Sequence, residues 1–226
     1  MTRANWPANP WTIGMCSTFN FGRLLGSRPA ARMPVRSSAA GSMVGSGKRA
    51  LRTELLRQLT TQKEEHRRRK SEAIHRKLYR LAIFRNAKTV MCYVSLPYEV
   101  ETGRLIAQML KLGKRVVVPR VFRRSLQLSE VRDPDSDLAP GAYGVLEPAA
   151  GRFRPVKREA VDLVVIPGVA FDRRGFRLGH GLGDFDRFLS RLPKATPLVG
   201  LCFDFQLLDR VPTETHDRAV HTVLSA

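Results

Sequence analysis

Residues 163–192 constrain this chain more than any other stretch. Leu163-Val164-Val165-Ile166 has the length and β-branched content of a buried strand. Phe185, Phe188, Leu189 and Leu192 then recur at helical spacing. Between them stand four glycines, at 175, 179, 181 and 183, and three arginines, at 173, 174 and 177. Glycine lets backbone N–H groups curl around an anion, a helix start adds positive potential, and arginine supplies a planar, two-pronged donor. A loop built this way suits a polyphosphate; the competing reading is a flexible surface loop with solvated arginines. It is not a Walker loop, because no Gly-Lys-Ser/Thr follows. It is a poor dinucleotide fingerprint too, because arginines crowd the turn and no downstream ribose-binding acid is clear.

The remaining pattern predicts an α/β fold. Residues 48–84 read as helical, with one stripe of Leu51, Leu55 and Leu59 and another of Ile74, Leu78, Leu81 and Ala82. Between the stripes, residues 63–70 are almost wholly charged and contain no aromatic. That is the composition of a solvated helix face or a helix–helix elbow rather than of a nucleic-acid contact. Strands are expected at 88–96, 115–121, 126–131, 163–166 and 197–203. Helices are expected at 102–112, closed by Gly113, and at 185–192, with a short helical turn at 206–208. Alternation of this kind means a three-layer, mostly parallel sheet flanked by helices, with the N-terminal helical segment alongside.

Composition sets outer limits. With 226 residues, 43% of them hydrophobic, the chain can bury a sizeable core, and no apolar run approaches the ~20 residues of a membrane span. Cys16, Cys92 and Cys202 are odd in number and lack metal-ligand spacing, which argues for a reducing compartment and against disulfides or structural zinc. The formal charge of +19 predicts attraction to anions in general. Residues 1–47 carry five arginines and no acid, and are expected to stay outside the core. They read as over-called sequence ahead of a start at Met33 or Met43, or else as a mitochondrial targeting leader; residues 48–226 then form a single domain.

The motifs carry a family resemblance. Pro167-Gly168-x-Ala170-Phe171-Asp172-x-x-Gly175-x-Arg177-Leu178-Gly179-x-Gly181-x-Gly183-x-x-Asp186-Arg187-Phe188-Leu189 resembles the hallmark loop of the 5-formyltetrahydrofolate cyclo-ligase family. Tyr93-x-Ser95-Leu96-Pro97-x-Glu99-Val100-x-Thr102 is similar to that family's folate-side segment. Gly144-x-x-Glu147-Pro148, Val199-Gly200-Leu201-x-Phe203-Asp204-x-Gln206, Pro212 and His216-Asp217 extend the match, and Lys48 with Arg52 matches the opening basic pair.

The resemblance implies a NagB/RpiA/CoA transferase-like fold and an ATP- and Mg²⁺-dependent cyclisation of 5-formyltetrahydrofolate to 5,10-methenyltetrahydrofolate. A formamide oxygen is a poor nucleophile and hydroxide a poor leaving group, so the oxygen is phosphorylated before the neighbouring amine attacks. Phosphoryl transfer asks mostly for positioning and charge neutralisation. ATP is then expected at Lys48, Arg52, Arg177, Leu178, Gly179, His180, Gly181, Leu182, Gly183, Asp184 and Phe185. Arg177 and Asp186 are the expected catalytic pair, with Asp186 as Mg²⁺ ligand or, alternatively, a helix cap. Leu96, Tyr98 and Glu99 are expected to face the folate. The implied protein is a cytoplasmic monomer, or a mitochondrial one if the leader targets it, with no need of nucleic acid or membrane. Four positions depart from the pattern: Leu182 where a lysine or other polar residue is common, Asp184 and Phe185 where the family has tyrosines, and His221 where its tail has an aspartate. The alternative they leave open is a divergent member that binds nucleotide but acts on another small molecule or lacks turnover.

Overall fold

The computed structural model describes residues 39–226, apart from 124, 142–143 and 215–216, with side chains from residue 47 onward. Most of the leader and His216 of the tail motif therefore lie outside the described residues.

Helices α1 (Ala39–Thr61), α2 (Glu64–Arg80) and α3 (Ala82–Asn86) open the chain. The helix thus begins nine residues before Lys48. On α2, Ser71, Ile74, His75 and Leu78 are buried at one-turn spacing, while Glu64, Glu65, His66, Arg68 and Arg69 are exposed. Strand β1 (Thr89–Cys92), helix α4 (Gly103–Lys111) and strands β2 (Arg115–Phe122) and β3 (Ser125–Val131) follow. A short helix α5 (Pro134–Asp137) leads into the small antiparallel pair β4 (Leu138–Pro140) and β5 (Leu146–Pro148). The chain then forms β6 (Leu163–Ile166), β7 (Ala170–Asp172), β8 (Arg177–Leu178), α6 (Asp184–Ser190), β9 (Leu198–Cys202), β10 (Leu207–Leu208) and β11 (Thr222–Ser225).

The main sheet has the order β11-β9-β6-β1-β2-β3, parallel throughout except for β3. A strand turns successive side chains to opposite faces, so each apolar run feeds two cores. Val90, Cys92, Val116, Val118, Leu163 and Val165 face a layer built from Leu59, Ile74, Leu78, Phe84, Leu105, Ile106 and Met109. Met91, Val117, Val164, Ile166 and Leu198 face Phe171, Phe188, Leu189 and Leu192. Both faces are covered, as a parallel sheet requires. Cys92 and Cys202 are free, buried thiols within these cores.

Three sequence expectations need correction. Strand β1 ends at Cys92, four residues short of the predicted end, because side chains turn the backbone away. The Tyr93 hydroxyl donates to the Val100 carbonyl, and Ser95 and Thr102 each accept the other's backbone N–H. The segment after β6 is not a plain strand-to-helix turn, since β7 and β8 form an antiparallel hairpin that turns at Gly175, ahead of Gly179, Gly181 and Gly183. The expected helical turn at 206–208 is a 3₁₀ turn at Asp204–Gln206 followed by strand β10, which pairs with β7.

Candidate active site

Strand β1 stands at the branching point of the sheet. From β1 the chain passes through α4 to β2 on one side; β6, on β1's other side, leads on to β9 and β11. Connections that diverge in this way open a crevice beyond the carboxyl ends of the two strands, where α/β proteins bind ligands. The segments that leave these ends are residues 93–102 from β1 and residues 167–183 from β6. They are the two segments in which the sequence concentrates its chemistry.

The two segments meet at Glu99 and His180, whose Oε1 and Nε2 atoms lie 3.6 Å apart. Glu99 is buried, and the Leu96 backbone N–H donates to its Oε2 at 2.9 Å. Burial pushes its carboxyl up to about 7, outweighing the opposite pull of that N–H. Burial, helped by the charge of Arg52, holds the His180 imidazole below its usual range. His180 is therefore neutral at pH 7, and 3.6 Å is too long for a hydrogen bond. Two polar groups face each other here without bonding. The Tyr98 ring lies 6.4 Å from that of His180, and burial with Glu99 beside it pushes the Tyr98 hydroxyl up to about 12. Glu99 and Tyr98 thus lie together beside His180, with Leu96 tied to Glu99 through its backbone.

The glycine loop is held from two sides. Arg52 of α1 donates from Nε to the Gly179 carbonyl at 2.9 Å. A Cβ on Gly181 would stand 3.4 Å from the Arg52 guanidinium, and the Gly181 φ of 100° is one that side chains rarely adopt. Leu182 is exposed at the tip of the loop, and Arg187 reaches back to the Leu182 carbonyl and to Asp184. Leu178 is buried, while Phe185 is partly buried against both cores.

Arg177 and Lys48 are more committed than their sequence positions suggest. Arg177, 4% exposed, is ion-paired with Asp186 of α6. Burial lowers its pKa, opposed by the charges of Asp186 and Asp217. Lys48 does not join Arg52 on the loop. It donates to Glu214 at 2.7 Å and lies 3.7 Å from Asp217, both in the segment before β11. Cations and acids therefore alternate around the glycine loop, and an anion entering there would compete with the acids for the cations.

Among the described residues no three His, Cys, Asp or Glu side chains converge. The chain offers no all-protein metal cage there. A divalent cation held mostly by phosphate oxygens and water needs only one or two carboxylates. Asp186, with its side chain 38% exposed, fits that role. His221 does not: it is exposed, and its Nδ1 accepts the Leu198 N–H at 2.9 Å.

Supporting residues carried motif signals but no assigned task. Asp172, fully buried, accepts N–H groups from Arg174, Phe176 and Val211 and pairs with the Arg174 guanidinium. Gln206 donates to the carbonyls of Gly168 and Val169 and accepts from Phe203 N–H, pinning the exit of β6 to the end of β9. Their signal was a polar side chain embedded in an apolar motif.

Comparison with known proteins identifies relatives in sequence and in fold. The model of the 5-formyltetrahydrofolate cyclo-ligase family matches residues 44–226. The chain is 31% identical to 5-formyltetrahydrofolate cyclo-ligase of Mus musculus over 82% of its own length and 96% of the relative's. It is 32% identical to the Mycolicibacterium smegmatis protein of the same name, covering 79% and 93% of the two chains. The NMR structure of 5,10-methenyltetrahydrofolate synthetase from Aquifex aeolicus superposes with a TM-score of 0.70 at 35% identity, over 79% of this chain and 89% of that one. A Mycoplasma pneumoniae synthetase structure, 22% identical with a TM-score of 0.64, shares the fold. The family model over residues 44–226 and relatives about 30% identical over most of their length lead to one conclusion: the chain belongs to the 5-formyltetrahydrofolate cyclo-ligase family, a family of ligases.

Proposed function

We propose that this protein catalyses the ATP-driven cyclisation of 5-formyltetrahydrofolate to 5,10-methenyltetrahydrofolate, releasing ADP and phosphate. The observation that carries this reading is the meeting of the two loops, where buried Glu99 faces His180 of the glycine loop beside Arg52. A reaction between two substrates needs a nucleotide-binding segment and an organic-substrate segment brought within one bond of each other.

Leu96, Tyr98 and Glu99 take the folate. A carboxyl with a pKa of about 7 donates or accepts a proton at neutral pH, which suits recognition of a ring edge bearing both donors and acceptors. The backbone of Gly179, Gly181 and Gly183, with Arg52, holds the phosphates, and Phe185 and Leu178 shape the floor beneath them. Arg177 orients Asp186 and supplies positive charge behind it. Asp186 would hold a Mg²⁺ ion brought in with the nucleotide, and the ion would supply charge neutralisation for phosphoryl transfer. Phe185 and Asp184 stand where hydroxyl groups are usual, so orientation of the phosphates rests on the backbone and the arginines. The edge-antiparallel, otherwise parallel sheet supports a NagB/RpiA/CoA transferase-like fold, and two buried free thiols support a reducing compartment such as the cytoplasm.

The test is direct. Full-length protein with 5-formyltetrahydrofolate, Mg²⁺ and ATP should form methenyltetrahydrofolate with matching phosphate release, and Arg177→Ala should abolish both. Nucleotide binding without product would mean another substrate or a site without turnover.

A further inference from the structure

The segment between β10 and β11 is fastened at both ends by contacts already described or close to them. Val211 N–H donates to Asp172, and Val220 N–H donates to the Gly175 carbonyl at 2.8 Å. Within the segment a third attachment has a different character. Arg218 directs both terminal nitrogens at the end of α6 and the turn after it. Its Nη1 donates to the Leu189 and Leu192 carbonyls and its Nη2 to those of Pro193, Lys194 and Thr196, at 2.8 to 3.3 Å. The last carbonyls of a helix lack partners within it, and a cation there is favourable. A guanidinium satisfies several at once because its donors are arranged in a rigid fork.

The consequence lies one residue away. Asp217 sits 3.7 Å from Lys48 Nζ, its Oδ2 accepts the Glu214 N–H at 2.7 Å, and its charge acts on buried Arg177. The other end of the clamp, α6, carries Asp186, the partner of Arg177. Arg218 therefore ties the segment carrying Asp217, beside Lys48, to the helix carrying Asp186, the partner of Arg177. In the tail motif it directly follows His216-Asp217.

We propose that Arg218 is a positioning residue for the nucleotide end of the site. By gripping the carbonyls behind α6 it fixes Asp217 relative to Arg177 and Lys48, and so sets the spacing of charges that receive the phosphates. This rests on the cyclo-ligase reading for where the nucleotide lies. It assigns no contact between Arg218 and either substrate, and the folate wall of Leu96, Tyr98 and Glu99 is outside its reach.

The experiment compares wild type, Arg218→Met and Arg218→Lys as full chains. Misplacing charged groups at a phosphoryl-transfer site raises KM for ATP by about 10- to 100-fold in Arg218→Met, while KM for folate stays within about twofold. Arg218→Lys, with one point charge for a fork, gives an intermediate value, and millimolar guanidinium ion restores ATP affinity to Arg218→Met but not to wild type. Equal losses on both substrates, an unchanged KM for ATP, or a lowered melting temperature as the sole effect would overturn the proposal. Should Arg218→Met not fold, Arg218→Lys with its KM split decides. Fluorescent-nucleotide binding to the same variants separates this idea from the reaction assignment. If wild type forms no product yet binds ATP, a weaker nucleotide affinity in Arg218→Met still supports the clamp, and an unchanged affinity sinks it.

Discussion

A carboxyl buried as deeply as Glu99 gives up its proton reluctantly, and the cost appears in the pH dependence of stability. Its folded pKa of about 7 exceeds the ordinary value of 4.5, so between those values the folded state holds the proton more tightly than the unfolded chain does. Stability therefore falls as pH rises through that window and levels off above it, by about 3 kcal/mol in all. Glu99→Gln keeps a neutral acceptor for the Leu96 N–H and should remove this slope. Melting curves of both proteins between about pH 5 and about pH 8 check it, and identical slopes would refute the assignment. Gly175 makes a second prediction at this scale. Its φ is 87°, and an added Cβ would lie 2.3 Å from the Val220 carbonyl oxygen, a backbone atom with nowhere to go. Gly175→Ala should cost about 2 kcal/mol or more, read from denaturant unfolding, because conformational strain and the clash add.

Among the elements, β7 decides how the glycine loop is presented. Its Phe171 fills the space that side chains at Gly168 and Gly200 would occupy: a Cβ at Gly200 would stand 2.4 Å from the ring. The ring thus locks the hairpin onto β9 from the side of the sheet that α6 also covers. Gly200→Ala should lose about 1–3 kcal/mol through overpacking. In a Phe171→Leu background the same change should cost less, because the smaller side chain vacates the contact. A double-mutant cycle measures that coupling, and strict additivity would show that the ring is free to move aside. The strand was hard to see in sequence because three residues between a proline-glycine turn and an arginine-rich stretch display no periodicity. Its partners β8 and β10, of two residues each, display even less.

At the scale of the molecule, the chain carries a formal charge of +19, and its proposed substrates are anions. A long-range field of this sign speeds capture without touching the chemical step, and salt screens it. The value of kcat/KM for ATP should fall by about tenfold from low salt to about 0.5 M, with kcat nearly constant. A flat profile would show that the excess charge lies away from the crevice. The sequence by itself determined the layers and the loops: apolar runs of four to seven residues alternating with amphipathic stripes leave few alternatives to a covered parallel sheet. The glycine loop and the Tyr93–Thr102 segment were legible because their chemistry is local, a matter of residue types in a fixed order. Only the tertiary structure decided that Glu99 stands against His180, that Lys48 turns to Glu214 rather than to the loop, and that Arg218 reaches the end of α6. Those contacts join residues far apart in the chain and leave no periodic trace. They exist because neighbouring strands of the sheet deliver their loops to the same crevice, and burial there turns ordinary side chains into shifted acids, fixed cations and clamps.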